Sequence, residues 1–67
     1  MKAIRKNARE EIRVARVEYK GYDLVNIRIW FKADDGGMRP GKDGLTFRAA
    51  LCDEVIDALL DAKRGAE

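Results

Sequence analysis

The sequence has few of the side chains that usually carry chemistry: no histidine, a single cysteine and a single proline. Histidine is the commonest acid, base and metal ligand near neutral pH. The lone thiol of Cys52 falls among apolar helical positions, where an inert, buried cysteine is commoner than a nucleophile. These absences argue against catalysis, and we expect no enzyme activity, no catalytic residue, no metal and no cofactor.

The opening residues are cationic and lack the apolar core of a secretory signal, and no apolar run approaches membrane-spanning length. One cysteine cannot form an internal disulfide, and a lone thiol is typical of a reducing compartment. We therefore expect an intracellular protein, in the cytoplasm or nucleoid, or in the nucleus if the source is a eukaryote.

The 67 residues allow one small domain, and a chain of this length buries only a modest core by itself. Its net charge of +2 is unevenly distributed. Residues 1–32 carry nine Lys/Arg against four Asp/Glu, a balance of +5, whereas residues 33–67 carry five against eight, a balance of −3. A basic first half favours an anionic partner, although charged side chains also simply solvate a small protein.

Two segments have the patterns of β-strands. Residues 12–19 are rich in β-branched side chains, and a switch in their parity indicates either a bulge or a strand partly buried on both faces. Residues 20–23 have the composition of a tight hairpin turn. Residues 24–32 alternate strictly, with apolar side chains on one face (Val25, Ile27, Ile29, Phe31) and a mixed set on the other (Leu24, Asn26, Arg28, Trp30, Lys32).

The flanking segments are less regular. Residues 1–10 are predicted to form a basic and flexible N-terminal arm, followed by one domain over residues 11–65. The glycine-rich stretch GGMRPGKDG at residues 36–44 is predicted to be a connector, with a short edge segment at 38–41 and a short strand at 42–47. It is not a Walker A loop, because Asp43 follows Lys42 where that motif requires Ser or Thr.

Residues 49–64 are predicted to be a helix that ends at Gly65. Its apolar side chains cover an arc of roughly 200°, at about 100° per residue. A helix that packs on one sheet needs a stripe little wider than about 100°. The surplus predicts a homodimer through the helices, unless one sheet curls around the whole arc; the predicted interface residues are Leu51, Val55, Ile56, Leu59 and Leu60.

Cations and aromatic residues are interleaved along the strand segments. Cations neutralise phosphates, and exposed rings stack on bases that are unpaired. This pattern favours single-stranded nucleic acid over a duplex. Trp30 and Phe31 are neighbours on one strand and therefore face opposite sides, so that at least one of them belongs to the core. The pattern leaves open which of the two faces the nucleic acid.

Residues 18–47, EYKGYDLVNIRIWFKADDGGMRPGKDGLTF, resemble the core of the transcriptional positive-cofactor-four family, in its short bacterial or phage form. The shared features are the aromatic-Lys-Gly turn, the apolar-Arg-aromatic strand and the Met-basic-Pro-Gly connector. The resemblance implies an α+β fold: a four-stranded antiparallel sheet followed by one C-terminal helix, dimerised through the helices. It also implies sequence-tolerant binding of single-stranded DNA, in transcriptional coactivation or genome maintenance.

The resemblance also implies roles for individual residues. Tyr19 matches a stacking aromatic, and Lys20 and Arg28 match cations that contact the backbone. Asp43 departs from the family, because a DNA-contacting lysine is common at its position. Pattern and resemblance together give the candidate nucleic-acid-binding set Tyr19, Lys20, Tyr22, Arg28, Trp30, Phe31, Lys32, Arg39 and Lys42.

Two other interpretations of the sequence stay open. Stacking and phosphate contacts hardly distinguish the two sugars, so the ligand could be single-stranded RNA. Alternatively, the acidic helix or an exposed sheet edge could recruit a transcription or replication protein without direct contact to nucleic acid.

Overall fold

The computed structural model describes residues 1–65 and contains one four-stranded sheet followed by one helix. The strands pair antiparallel in chain order, β1 to β4. This confirms the predicted α+β fold. The elements are β1 (Lys2–Arg5), β2 (Glu10–Tyr19), β3 (Tyr22–Lys32), β4 (Met38–Arg48), a 3-10 turn (Ala49–Leu51) and α1 (Cys52–Arg64).

The long hairpin of β2 and β3 forms the centre of the sheet. Its residues pair one to one from Glu10 with Phe31 to Tyr19 with Tyr22, so β2 carries no bulge along β3. Of the two interpretations of its mixed parity, the structure supports the strand that is half-buried on both faces. Lys20 and Gly21 form a two-residue turn at positive φ values of 51° and 82°. The predicted hairpin turn is present but shorter than residues 20–23, because β3 already begins at Tyr22.

The predicted N-terminal arm differs from the structure, because its residues Lys2–Arg5 form strand β1 on the outer edge of β2. All four of these side chains are exposed. The strand is held by backbone hydrogen bonds to β2, because an unpaired strand edge offers free N–H and C=O groups along its length. The amino-acid composition of residues 1–10 does not reveal such pairing. The domain boundary at residue 11 stays a prediction.

The predicted connector also differs, because residues 38–48 form one strand, β4, instead of a crossing loop and a separate strand. Arg28 pairs with Gly44, and Trp30 pairs with Pro40. Three β4 residues therefore lie opposite the single residue Ile29, which makes the strand bulge away from its partner. A pattern of glycines and one proline hides such an irregular strand, since both residue types also mark loops.

Glycine is required where β4 approaches β3 most closely. A Cβ atom at Gly41 would lie 2.8 Å from the carbonyl oxygen of Ile29, and one at Gly44 would lie 2.9 Å from that of Ile27. Side chains at these two positions would push the strands apart. The two glycines therefore maintain the irregular pairing of the two strands.

The register divides the sheet into two faces of different chemistry. We call one the apolar face, after its residues Ile4, Ile12, Val14, Val25, Ile27, Ile29, Phe31, Leu45 and Phe47; Glu10, Arg16, Glu18, Asp23 and Arg39 lie on the same side. We call the other the cationic face, after its residues Arg13, Tyr19, Tyr22, Arg28, Trp30, Lys32 and Arg48; Glu11, Ala15, Val17, Leu24 and Asn26 lie on the same side. Both faces are set by the period of two along β2 and β3.

A single chain leaves much of its apolar surface uncovered. No residue among 1–65 is fully buried, and the chain measures 38 × 36 × 17 Å. Its radius of gyration is 13.8 Å, whereas a compact chain of this length would have about 11 Å. The described fold is thus a thin, open layer with no closed core of its own.

Helix α1 has most of its apolar side chains in solvent. Only Cys52 and Val55 are half-buried, whereas Leu59 and Ile56 are 60% and 50% exposed. The helix ends as the sequence predicted: Gly65 takes a φ of 74° and its N–H donates to the carbonyl of Ala62. In the described part of the chain, no helix is long and apolar enough to cross a membrane.

Candidate nucleic-acid interface

The two tyrosines at the tip of the β2–β3 hairpin are the most exposed aromatic rings of the cationic face. Tyr19 and Tyr22 are 61% and 51% exposed and form the last pair before the turn. Both rings lie on one side of the sheet because paired residues on antiparallel strands share a face. They offer two neighbouring platforms for planar ligands.

Lys20 lies in the turn directly beside these rings. Its φ of 51° is unusual for a residue with a Cβ, and hairpin turns of this type favour Asn, Asp or Gly at that position. The ammonium group of Lys20 lies 5.4 Å from the centre of the Tyr19 ring. A cation and a ring are thus presented together at the hairpin tip.

Arg28 lies at the centre of the cationic face and is fixed to the irregular part of β4. Its Nη1 donates to the carbonyl oxygens of Gly41, at 3.0 Å, and Lys42, at 3.4 Å. A Cβ at Gly44 would lie only 3.1 Å from its Cζ, so a glycine there leaves room for the guanidinium. The glycines of β4 therefore serve the placement of Arg28 as well as the strand pairing.

Trp30 lies on the cationic face, and Phe31 lies on the apolar face. Trp30 is half-buried, and the guanidinium of Arg13 lies 4.1 Å from the centre of its ring. Glu11 accepts a hydrogen bond of 2.9 Å from Nε of Arg13. Phe31 is 41% exposed on the apolar face, where it pairs with Arg39.

The remaining predicted cations are scattered. Lys32 lies on the cationic face at the end of β3. Arg39 forms an ion pair of 2.9 Å with Asp35 and is paired in register with Phe31, away from the tyrosines. Lys42 is an exposed residue of the irregular segment of β4. The structure thus places Tyr19, Tyr22, Arg28, Trp30 and Lys32 along one face of the sheet, with Lys20 in the turn at its end, and Phe31 and Arg39 on the other face.

The predicted binding set omitted two cations of this face, Arg13 and Arg48. The guanidinium of Arg48 lies 4.7 Å from the centre of the Tyr22 ring, at the end of β4. Arg48 lies on this face because it pairs with Leu24. It follows the strand predicted over residues 42–47, so the sequence pattern assigned it to no face.

The β1–β2 loop and the end of β3 border an open groove of about 690 Å³. Phe31, Arg9 and Lys32 line it together with the acidic residues Glu10 and Asp34. Hydrogen bonds from Asn7 and Lys6, with the charge of Lys6, lower the pKa of Glu10 from its ordinary value near 4.5. Residues 1–65 contain no cluster of three or more His, Cys, Asp or Glu that could hold a metal ion.

The family model described as Transcriptional Coactivator p15 (PC4) matches residues 6–58 of the chain. A search of the curated proteins gave no match. The family match covers most of the sheet and the first half of the helix, including every residue of the cationic face.

Solved structures resemble the whole fold. A PC4 homologue from Burkholderia pseudomallei K96243 in an orthorhombic crystal form has a TM-score of 0.88 at 31% identity, over 96% of this chain and 86% of that one. Its tetragonal form has a TM-score of 0.85 at 30% identity, over 94% and 93%. The bacteriophage T5 homologue of the eukaryotic coactivator PC4, implicated in recombination-dependent DNA replication, has a TM-score of 0.61 at 25% identity, over 91% and 69%.

Proposed function

The chain belongs to the PC4 family of transcriptional coactivators, and on that premise we propose that it is a sequence-tolerant single-stranded DNA-binding protein. It acts on unwound DNA, in transcriptional regulation or in genome maintenance. The observation that carries this proposal is the cationic face, where two exposed tyrosines lie beside Lys20 and on the same side as Arg28.

The chemistry of this face suits an unpaired strand. Tyr19 and Tyr22 stack on bases, which only a single strand presents with open π-faces. Lys20 and Arg28 neutralise phosphates beside them, and Lys32 and Lys42 extend the positive potential along the strand path. None of these contacts reads the edge of a base, so binding tolerates different sequences.

Phe31 and Arg39 have a different place in this proposal. They pair with each other on the other side of the sheet, where Phe31 lines the groove at the β1–β2 loop. We assign them a secondary contact, in which a strand that passes around the end of β3 meets the exposed Phe31 ring. Trp30 belongs to the main path, although Arg13 covers one side of its ring.

The active unit in this proposal is a homodimer. Leu51, Ile56, Leu59 and Leu60 are 44–60% exposed in the single chain, and they form the helix interface together with Val55. Burial of each such side chain contributes about 1.5–3 kcal/mol to the stability of the dimer. The sheet needs this contribution because it has no closed core of its own. Transcription or replication proteins are further partners, and the chain itself performs no catalysis in this role.

The proposal is tested by titrating the protein into fluorescent oligothymidine, the matching duplex and oligouridine of equal length, at several salt concentrations. We expect tighter binding of the single strand than of the duplex, with log K falling by about 0.7 per phosphate contact for each unit of log salt. Preference for oligouridine would assign the face to RNA. Absence of binding at low salt would overturn the proposal and direct the search to protein partners.

A further inference from the structure

Two arginines lie directly opposite each other on the cationic face. Arg13 of β2 pairs in register with Arg28 of β3. Residues paired in this way have Cβ atoms about 4.5–5.5 Å apart, and like charges at such positions destabilise a sheet. The repulsion between these two facing arginines lowers the stability of the free protein. A bound anion between them would relieve this repulsion.

Each of the two guanidinium groups is held in place by its own neighbours. Arg13 lies over Trp30 at 4.1 Å and donates from Nε to Glu11, and its side chain is 18% exposed. Arg28 is held by the carbonyl of Gly41. Little conformational freedom is left for either group to lose when a ligand binds.

The contacts of Arg13 leave its two terminal nitrogens without an acceptor in the described residues. Stacking uses the flat side of the guanidinium, whereas its hydrogen bonds are donated in the plane of the group. Glu11 accepts from Nε alone, and within residues 1–65 neither terminal nitrogen of Arg13 has a hydrogen-bond acceptor. The cluster consists of Arg13, Arg28 and Glu11. Two positive charges and one negative charge leave it with a net charge of about +1.

We propose that Arg13 and Arg28 together form a phosphate subsite for one backbone phosphate of a bound single strand. In this subsite Trp30 is the platform that positions Arg13, and it does not stack on a base. This inference rests on the proposed function and adds Arg13 to the binding residues. Planar guanidinium groups suit a phosphate because they donate two parallel hydrogen bonds.

The test compares two variants of the same strand. Arg13→Gln removes the charge from the cationic face, and Arg16→Gln removes an equal charge from the opposite side of β2, where Arg16 forms an exposed ion pair with Asp23. For oligothymidine, Arg13→Gln should weaken binding about tenfold. The salt slope should stay close to the wild-type value, because Arg28 still neutralises the shared phosphate. Arg16→Gln should leave both the affinity and the slope unchanged.

A double variant distinguishes a shared phosphate from two separate ones. If Arg13 and Arg28 hold the same phosphate, Arg13→Gln with Arg28→Gln flattens the slope by about 0.7 in total, whereas separate phosphates would give about 1.4. A slope change near 1.4 would therefore overturn the shared subsite. If circular dichroism shows that Arg13→Gln does not fold, Arg13→Lys is used in its place. We expect Arg13→Lys to bind oligothymidine more weakly than the wild type, with the wild-type salt slope. An unchanged affinity of Arg13→Lys would overturn the proposal.

Trp30 provides an independent readout because it is the only tryptophan of the chain. With Arg13 over its ring, saturating oligothymidine should change its fluorescence little, and strong quenching would place a base on Trp30 and contradict the platform role. Salt-dependent wild-type binding with an unchanged Arg13→Gln affinity would overturn this subsite and leave the proposed function intact. Failure of the wild type to bind would overturn both.

Discussion

The two faces of the sheet use the same strands for opposite purposes. On the apolar face, Val14, Ile27 and Leu45 lie side by side across three strands, with no charged partner among them. On the cationic face, the two facing arginines are each held by a neighbour, Arg13 by the ring of Trp30 and Arg28 by the carbonyl of Gly41. The first face is left open in the single chain, whereas the second carries the cations of the proposed binding site.

The comparison explains how 67 residues can serve both purposes. A chain of this size buries only a modest core by itself, and no described residue of this one is fully buried. In our proposal a second copy supplies the missing cover, so the polar side of the sheet stays free. Stability then depends on the apolar residues and the helix, whereas affinity depends on the cationic face.

The substitution Leu59→Glu should have the largest effect. Leu59 is 60% exposed in the single chain, so a charge there is tolerated unless a second copy covers it. Within a dimer interface an unpaired buried carboxylate costs several kcal/mol. We expect loss of the dimer and of the folded state at micromolar concentration, measured by light scattering after gel filtration and by thermal melting.

Asp57→Lys on the acidic side of the same helix is the control for that variant and should keep the dimer mass. A Leu59→Glu protein with wild-type mass and melting temperature would contradict an interface at this part of the helix.

Ile27→Ala separates the two faces more finely, because Ile27 and Arg28 are neighbours that point to opposite sides of the sheet. We expect a loss of about 2–4 kcal/mol in the free energy of unfolding if a second copy covers the apolar face. The salt slope of binding should not change. A loss below about 1 kcal/mol in chemical denaturation would mean that this face stays in water.

Tyr19→Ala should leave stability nearly unchanged, since the ring is 61% exposed. Removal of one stacking ring should weaken binding to oligothymidine by about 1–3 kcal/mol without flattening the salt slope. Fluorescence anisotropy at two salt concentrations measures both quantities. Tyr19→Phe is the matched control and should bind like the wild type, and equal affinities for all three proteins would remove Tyr19 from the interface.

Gly44→Ala should have a smaller effect that reaches both faces. The added methyl group would lie 2.9 Å from the carbonyl oxygen of Ile27 and 3.1 Å from Cζ of Arg28. We expect a loss of about 1 kcal/mol in stability and weaker binding through displacement of Arg28. Gly37→Ala is the control, because its methyl group would meet only the flexible carboxylate of Asp35, at 3.2 Å.

The smallest expected effect is a pH dependence at Glu10. Its folded-state pKa lies below the ordinary value near 4.5, because Asn7 and Lys6 hydrogen bond to the carboxylate. A lowered folded pKa contributes stability above the unfolded pKa, and this contribution is lost as the pH falls through the folded value. Melting curves between pH 6 and 3 should show a slightly shallower decline for Glu10→Gln than for the wild type, and identical curves would contradict this role.

Local physics explains which parts of the fold were predictable. The strict alternation of residues 24–32 gave the two faces of β3, the Lys-Gly pair gave the hairpin turn, and Gly65 gave the helix end. Each of these features depends on neighbours in the sequence. That residues 2–5 form a strand, and that residues 38–48 form one continuous strand, was not predictable in this way. Both strands depend on backbone pairing with residues that are distant in the sequence.

The candidate site was predictable to a similar extent. The set with Tyr19, Tyr22 and Arg28 follows from β2 and β3 alone, and the structure places these residues on one face of the sheet. Arg13 and Arg48 were omitted from the predicted set, and Arg48 follows the strand predicted over residues 42–47. Arg39 was in the predicted set, but it pairs with Phe31 on the other face. Parity showed that Trp30 and Phe31 differ in face, but only the register identified which one joins the cations.

The most direct test of the central claim, that one face binds a single strand while the other assembles two copies, is sedimentation equilibrium with labelled oligothymidine. Wild type and Arg28→Ala should both have the mass of two chains, and only the wild type should bind the label at physiological salt. Ile27→Ala should bind it with the wild-type salt slope wherever it remains folded. A wild-type complex containing one chain, or an Arg28→Ala dimer that binds as tightly as the wild type, would contradict the account.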